Sequence, residues 1–125
     1  MDSQVLIWHK MDRASLSSTA ISLLENVDSD LSVSLVSFWE LTIKESLGKL
    51  EVPGQILGLY SDWHSMTIKD PLKLKWKHVL RLGKLPPIHR DPFDRMLIAQ
   101  ALEEDLTILT CDDNIRSYPQ VKTLW

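Results

Sequence analysis

The hydrophobic and polar positions along the chain follow two periods, one typical of strands and one typical of helices. Residues 31–36 alternate with a period of two and contain β-branched side chains, which predicts a strand. Residues 106–110, Leu-Thr-Ile-Leu-Thr, form the clearest strand pattern, and residues 121–125 predict a final edge strand. Residues 66–68 give a weaker pattern of the same kind. The strands are therefore spread along the chain rather than clustered.

Apolar residues at helical spacing fill the segments between these strands. The pattern predicts helices near residues 5–8, 18–27, 38–47, 55–64, 72–82 and 92–103. Ser17 or Ser18 can cap the second of these helices, and Gly48 stands where the third should end. Strands that alternate with helices predict a parallel sheet covered on both faces, a three-layer α/β/α sandwich. In such a sheet, functional residues gather at the carboxyl ends of the strands.

Length and composition set the class of protein. With 125 residues and 44% hydrophobic content, residues 1–125 are expected to form a single domain with one core. The sequence contains no apolar run of about 18 residues and no signal-peptide pattern at its start, so we expect a cytoplasmic protein with no membrane partner. The lone cysteine, Cys111, cannot form an internal disulfide and is expected to be a small buried core residue.

The net charge of −3 conceals an uneven distribution of charge. Residues 69–95 contain eight of the fourteen Lys and Arg residues but only three of the seventeen acids. This basic segment predicts a face that attracts phosphate groups. An ordinary solvated helix face would have the same composition, and the sequence leaves both interpretations open.

Residues 89–95, His-Arg-Asp-Pro-Phe-Asp-Arg, place two carboxylates at the start of a helix. Asp91 can cap the helix because Pro92 suits the first helical position, and Asp94 then lies in the first turn. An aspartate cap followed three residues later by an acid is also close to an ordinary capping box. Whether these two aspartates form only a helix cap or part of a functional site depends on where the other acids lie.

Those acids fall near the carboxyl ends of the predicted strands. Glu40 lies one helical turn beyond the first strand, Asp112 lies two residues beyond the strand that ends at Thr110, and Asp2 precedes an apolar stretch. Three or four carboxylates in one cleft stay ionised only if a cation balances them. Mg²⁺ or Mn²⁺ is the expected ion, and it suits phosphodiester hydrolysis by a metal-polarised water. Zinc is disfavoured because the cysteine and the four histidines show no close ligand spacing, and His89 is expected to be a loop residue.

Four segments taken together resemble those of the PIN domain, in its VapC-like toxin branch. They are Asp2-Ser3 before an apolar run, residues 37–41 with Lys44 and residues 47–50, residues 89–95, and Thr110-Cys111-Asp112. The resemblance implies a Mg²⁺- or Mn²⁺-dependent endoribonuclease of a bacterial toxin–antitoxin pair, a homodimer that a small antitoxin protein neutralises. Motif by motif, it also implies that Asp2, Glu40 and Asp94 are the catalytic metal-binding acids, with Asp112 as a fourth.

The surrounding residues have expected roles as well. Asp91 is a helix cap and an outer-shell group of the metal site, and Thr110 can hydrogen-bond a carboxylate. Three cations are candidates for contact with RNA phosphates: Lys44, Arg90 and Arg95. Some apolar side chains are candidates for a groove that holds an antitoxin helix, or else for the core: Leu6, Trp8, Trp39, Ile43 and Leu47.

One feature departs from the family. An apolar strand comes before the first aspartate in PIN domains and lies in the middle of the sheet, whereas only Met1 precedes Asp2 here. We therefore expect the first central strand to be truncated, and we expect in-frame translation upstream to reveal a short apolar segment. Two other functions remain as alternatives: a non-catalytic module that binds an antitoxin or RNA, and a phosphoacceptor receiver domain. The receiver domain is disfavoured because Ser37-Phe38, not an aspartate, follows the strand that ends at Val36.

Overall fold

A computed structural model describes residues 1–67 and 69–125 of the chain. In these ranges helices predominate over strands. The elements in chain order are α1 Ser3–Met11, a 3₁₀ turn Arg13–Ser15, α2 Ser18–Glu25, α3 Leu35–Ser46, α4 Gln55–Thr67, α5 Trp76–Leu82, α6 Pro92–Glu103, β1 Ile108–Leu109, α7 Asp113–Arg116 and β2 Thr123–Leu124. The six helical segments predicted from the sequence are therefore confirmed, with shifted boundaries.

Side-chain caps fix the ends of several helices. The hydroxyl of Ser17 accepts a hydrogen bond from the Ala20 amide at 3.0 Å, which makes Ser17 the cap of α2. Asp91 caps α6 as predicted, with Pro92 at the first helical position. Beyond α3, Gly48 has a φ of +65°, the left-handed conformation that lets the chain turn away from a helix.

The sheet is small and parallel. β1 pairs with β2 in the register Ile108↔Thr123 and Leu109↔Leu124. This confirms strands within residues 106–110 and 121–125, although each is shorter than predicted. Because β1 leads directly toward Thr110 and Asp112, its carboxyl end brings those two residues to the edge where the site is expected.

The strand predicted for residues 31–36 is wrong. Within the described ranges this segment makes a single parallel bridge, Ser34↔Leu72, and α3 begins at Leu35. The reason is local, since the Ser34 hydroxyl accepts a hydrogen bond from the Val36 amide at 3.0 Å and starts the helix. The same bridge holds Leu72 in extended backbone, so α5 begins at Trp76 rather than near residue 72.

The short strand predicted for residues 66–68 is also wrong where it is described, because Met66 and Thr67 continue α4. Residue 68 lies outside the described residues. Cys111 is half-buried rather than a buried core residue. Of the helices in the described ranges, none has the length and apolar character needed to cross a membrane.

A cavity of about 280 Å³ separates residues 31–34 from β1. Its lining is mainly apolar and includes Leu97, Ala101 and Leu124. At one end, the first two residues bridge the two sides: the Met1 ammonium donates to the Ser32 carbonyl at 2.7 Å, and the Asp2 amide donates to the Leu109 carbonyl at 3.2 Å. The described residues thus form an α/β structure with a two-stranded sheet, and the three-layer sandwich stays a prediction.

The buried apolar side chains form three clusters around this cavity. One lies beneath α3 and α4 and includes Trp63 and Leu41. A second joins α6 and β1 through Ile98 and Ile108 and also includes Tyr118. A third joins α1, α2 and β1 through residues such as Val5. These clusters fix the starts of α1 and α6, the first half of α3 and the end of β1, the four places from which the candidate acids project.

Candidate active site

Asp2 caps α1 and is buried, with 5% of its surface exposed. Its Oδ2 atom accepts a hydrogen bond from the Thr110 hydroxyl at 2.8 Å, and its Oδ1 atom accepts one from the Gln4 amide at 3.4 Å. Burial raises the pKa of Asp2, and the nearby Glu40 charge adds to the rise, while these hydrogen bonds oppose it. The expectation that Thr110 binds a carboxylate is confirmed.

Ser3 joins Asp2 to Glu40. The Ser3 hydroxyl lies 2.7 Å from Glu40 Oε2 and 3.3 Å from Asp2 Oδ1. Glu40 projects from the middle of α3 and is only 6% exposed. Since a hydroxyl has one proton, its stronger hydrogen bond goes to Glu40. Ser3 therefore holds the carboxylates of two separate helices together.

Lys44 occupies the other oxygen of Glu40. Its ammonium lies 2.5 Å from Glu40 Oε1, one turn further along α3. Burial alone would lower the pKa of Lys44, but the hydrogen bond and charge of Glu40 outweigh burial and raise it. The ion pair is the observed role of Lys44, and its contact with an RNA phosphate stays a prediction.

Asp94 lies in the first turn of α6, three residues beyond the Asp91 cap. Asp91 accepts hydrogen bonds from the amides of Phe93 at 2.8 Å and Asp94 at 3.3 Å, as expected of a cap. The Asp94 carboxylate instead faces the site, and its Oδ2 atom lies 3.2 Å from His89 Nε2. The structure thus gives the two aspartates of this segment different roles.

The pKa of Asp94 is raised to about 7, first by burial and then by like charges. The charges that raise it belong to four other acids, Asp91, Asp2, Asp112 and Glu40. All four predicted metal-binding acids therefore contribute to one electrostatic cluster, which we call the acid cluster: Asp2, Glu40, Asp94 and Asp112. The perturbed carboxyl is a recognised sign of a functional site.

Asp112 completes the acid cluster at the end of β1. It caps α7, with Oδ1 accepting from the Asn114 amide at 2.7 Å. The Asp112 amide donates to the Thr110 hydroxyl at 3.0 Å, and that hydroxyl donates to Asp2. Thr110, which is fully buried, thereby positions the two acids relative to each other.

The chemistry of the acid cluster fits a hard divalent cation. Its side chains offer only carboxylate oxygens, the ligands that Mg²⁺ and Mn²⁺ prefer. Among the described residues, no three His, Cys, Asp or Glu side chains converge tightly enough to enclose an ion. Mg²⁺ does not require such a cage, because it usually keeps several waters and binds one or two carboxylates directly. The open cluster is compatible with that mode of binding.

Four of the eight Lys and Arg residues of the basic segment form ion pairs with acids from elsewhere in the chain. The ion pairs join Lys69 to Asp30, Lys75 and Lys77 to Glu104, and Arg81 to Glu103. These pairs favour the interpretation of a solvated, salt-bridged face over a phosphate-binding one for this part of the segment. Arg90 is exposed beside the acid cluster, and its contact with RNA stays a prediction.

Arg95 is directed into the protein. Its guanidinium donates to the carbonyls of Pro86 at 2.8 Å and Leu85 at 3.3 Å, and to the Tyr118 hydroxyl at 2.9 Å. These bonds hold the loop before α6 against the second core cluster. Arg95 is thus a structural residue in this conformation, and a contact with RNA would require it to leave these partners.

The sequence did not point to three residues of the site. Ser3 is adjacent to a predicted ligand, but its partner Glu40 is 37 positions away. His89 precedes Asp94 by five residues, a spacing that carries no periodic signal outside a helix. Tyr118 reaches His89 across 29 positions. Only the proximity of Ser3 and His89 to the motif acids was a usable signal.

An aromatic pair flanks the acid cluster. The rings of Trp39 and Phe93, each adjacent in sequence to a cluster acid, meet edge to face with centroids 5.2 Å apart. Trp39 is 56% exposed, so much of its ring is accessible. Exposed aromatic faces beside a carboxylate site can stack on nucleobases.

Comparison with protein families gives one result that covers almost the whole chain. The family described as PIN domain matches residues 1–121. This range contains every residue of the acid cluster and the residues that hydrogen-bond to it. No curated protein is a significant match to the chain.

Proposed function

Since the chain belongs to the PIN domain family, whose members are generally nucleases, we propose that it is a divalent-metal-dependent endoribonuclease and the toxin of a toxin–antitoxin pair. The observation that carries the proposal is the convergence of acids from separate parts of the chain: Ser3 joins Asp2 to Glu40, and Thr110 joins Asp2 to Asp112. The charges of these acids also act on Asp94, whose pKa is raised. Carboxylates held together in this way are stabilised in their ionised form by a cation beside them.

In the proposed reaction, Mg²⁺ or Mn²⁺ supplies a polarised water and neutralises charge on the phosphate. Asp94 is the acid best placed to bind the ion, because a single contact, from His89 to Oδ2, meets its carboxylate, whereas both oxygens of Asp2 already accept hydrogen bonds. Glu40 and Asp112 supply further negative charge, and Asp91 supports the site from the outer shell. Ser3 and Thr110 hold the carboxylates in place, so that little reorganisation is needed when the cation binds.

RNA is the proposed substrate because its unpaired bases can stack on exposed rings while its phosphates meet the metal. The Trp39–Phe93 pair provides the rings, and Arg90 provides an exposed cation at the start of α6. Lys44 is a second candidate for contact with phosphate once a cation takes its place beside Glu40.

Protein partners are proposed from the exposed apolar side chains. Leu35, Trp39 and Leu47 of the α3 region and Trp76 and Leu80 of α5 are each about half exposed or more. The exposed apolar side chains of α3 and α5 are the candidates for surfaces that bind other proteins. We assign them to an antitoxin helix and to a second copy of the chain in a homodimer, acting in the cytoplasm.

Cleavage of an RNA pool by the purified chain tests the proposal. We expect cleavage with Mn²⁺, none with EDTA, and none with Asp94→Asn in the presence of Mn²⁺. Asp113→Asn is a matched control, because Asp113 is exposed and lies next to the cluster without belonging to it. Cleavage that persists in EDTA, or that survives Asp94→Asn at the rate of the control, would overturn the proposal.

One observation favours a second candidate, the non-catalytic module that binds an antitoxin or RNA. The Lys44 ammonium already neutralises Glu40, as an internal cation would in a site that binds no metal. Partner binding that is unaffected by Mn²⁺, by EDTA and by Glu40→Gln would support this candidate over the nuclease.

A further inference from the structure

His89 connects the acid cluster to the protein interior. One ring nitrogen, Nε2, lies 3.2 Å from Asp94 Oδ2, and the other, Nδ1, lies 3.1 Å from the Tyr118 hydroxyl. The His89 ring also packs edge to face on the Tyr118 ring, with centroids 5.4 Å apart. Since Tyr118 is a fully buried core residue, it provides a fixed reference for the position of His89.

Arg95, Tyr118, His89 and Asp94 form a chain in which each residue can donate a hydrogen bond to the next. Arg95 carries only donors and gives one to the Tyr118 oxygen at 2.9 Å. The single proton of the Tyr118 hydroxyl has two acceptors within reach, the Pro86 carbonyl at 3.3 Å and His89 Nδ1 at 3.1 Å. Since the Pro86 carbonyl already accepts from Arg95 at 2.8 Å, His89 Nδ1 is the nearer and less occupied acceptor. Donation to Nδ1 leaves the proton of a neutral His89 on Nε2, facing Asp94. The tautomer of His89 that donates to Asp94 is therefore set by Tyr118.

This contact restricts the Asp94 carboxylate. With Oδ2 held by His89, the Asp94 side chain keeps one orientation, and Oδ1 is the oxygen left for another ligand. Donors that orient metal-binding carboxylates commonly affect metal affinity about 10- to 100-fold. His89 cannot bind a cation through Nε2 while that nitrogen donates to Asp94, so its role differs from that of a ligand.

We propose that His89 is a positioning residue that orients Asp94 for the divalent cation, through a tautomer fixed by Tyr118. This inference rests on the proposed function, because it assumes that Asp94 binds the metal. In this arrangement residues 89, 95 and 118 act together to orient Asp94, a role that none of the acids in the acid cluster has.

Two substitutions of His89, each placing an amide nitrogen near a different ring nitrogen, test the proposal. The amide nitrogen of His89→Gln lies near the position of Nε2, whereas that of His89→Asn lies near Nδ1. Both variants lose the ring packing on Tyr118, so any purely structural damage is common to both. We expect His89→Asn to weaken Mn²⁺ binding about 10- to 100-fold in calorimetric titration, and His89→Gln to stay within about 3-fold of the wild type.

The outcomes separate this inference from the proposed function. If both variants bind Mn²⁺ as the wild type does, or if both lose affinity equally, His89 does not act through Nε2 and the inference is overturned. RNA cleavage by the wild type would leave the proposed function standing in that case. A wild-type protein that binds no Mn²⁺ would overturn both. Melting temperatures of the two variants, expected to agree within a few degrees, show that their difference in affinity is not a difference in folding.

Discussion

The two sides of the acid cluster are stabilised in different ways. On the side formed by Asp2 and Glu40, protein donors occupy the carboxylate oxygens: Thr110 and Gln4 bind Asp2, while Ser3 and Lys44 bind Glu40. On the side of Asp94, one histidine meets one oxygen, and burial together with the charges of the other acids raises the pKa of Asp94 to about 7. Donors from the protein satisfy the carboxylate oxygens of Asp2 and Glu40, whereas the negative charge around Asp94 is left without such compensation.

This difference indicates which carboxylate a bound cation stabilises most. A buried carboxylate that already accepts hydrogen bonds is stabilised little by a further cation. A carboxylate that like charges destabilise is stabilised much more. The comparison therefore identifies Asp94 as the acid with the largest change on metal binding, and Asp2 and Glu40 as the preorganised frame around it.

The largest expected effect comes from neutralising one acid on each side. Glu40→Gln and Asp94→Asn should each lower the rate of RNA cleavage about 1,000-fold, since transition-state stabilisation by the metal amounts to several kcal/mol. Initial rates with Mn²⁺ measure both. If only one substitution lowers the rate, the two sides do not serve one site.

Removing the donor that joins Asp2 to Glu40 should have the next largest effect. Ser3→Ala removes the donor to the buried Glu40 carboxylate and the weaker contact with Asp2, and we expect a loss of cleavage rate of about 10- to 100-fold. The expected cost in free energy of unfolding is about 1 to 3 kcal/mol.

Ser37→Ala is the control for that experiment. Ser37 is also fully buried, but its hydroxyl has no hydrogen-bond partner among the residues that the structure describes. We expect its replacement to be close to neutral in rate and in urea unfolding. Equal effects of the two substitutions would contradict the bridging role of Ser3.

Local features of both regions were predictable from the sequence. The caps of α2 and α6 follow from Ser17 and from Asp91-Pro92, because a cap depends on residues within one turn. The strand at 31–36 was wrong because its alternation resembles a strand, whereas the Ser34 hydroxyl starts a helix there. A pattern of period two does not reveal whether a partner strand pairs with it along its length.

The acids themselves were recognised through motifs, but the groups that hold them were not. Glu40 and Asp94 stand in segments that resemble the family, so their proximity was expected. The contacts Ser3–Glu40 and His89–Tyr118 join residues 37 and 29 positions apart. Such pairs depend on how α1, α3 and α6 pack, and neither hydrophobic period nor residue spacing specifies that packing.

The pH dependence of the free energy of unfolding should reveal the uncompensated charge around Asp94. In the unfolded chain Asp94 has its ordinary pKa of 3.8, and in the folded protein its pKa is about 7. Folding therefore becomes less favourable as pH rises from about 4 to 7, and the full cost is present above pH 7.

Asp94→Asn removes that cost while its amide oxygen still accepts from His89. We expect metal-free Asp94→Asn to gain on the order of 2 kcal/mol in urea unfolding at pH 8, and less at pH 4.5, after allowance for partial solvent screening. A loss of stability at pH 8 would mean that Asp94 is stabilised in the folded protein without metal.

The smallest expected effect concerns Lys44. Because its ammonium neutralises Glu40, Lys44→Gln should strengthen Mn²⁺ binding by less than about 10-fold at low ionic strength, and by less in high salt. Lys49→Gln, an exposed position beyond the end of α3, is the matched control. Weaker Mn²⁺ binding in Lys44→Gln would show that Lys44 organises the site rather than competing with the cation.

Proton release on metal binding tests the central claim most directly. Because the pKa of Asp94 is raised to about 7, part of its population is protonated near neutral pH, and Mn²⁺ that binds there should displace protons. Calorimetric titration in buffers of different ionisation enthalpy, at pH 6 and at pH 8, measures the number of protons released. We expect the wild type to release more protons at pH 6 than at pH 8, and more than Asp94→Asn at pH 6. Binding of Mn²⁺ with no proton release, or with equal release by the two proteins, would contradict the claim.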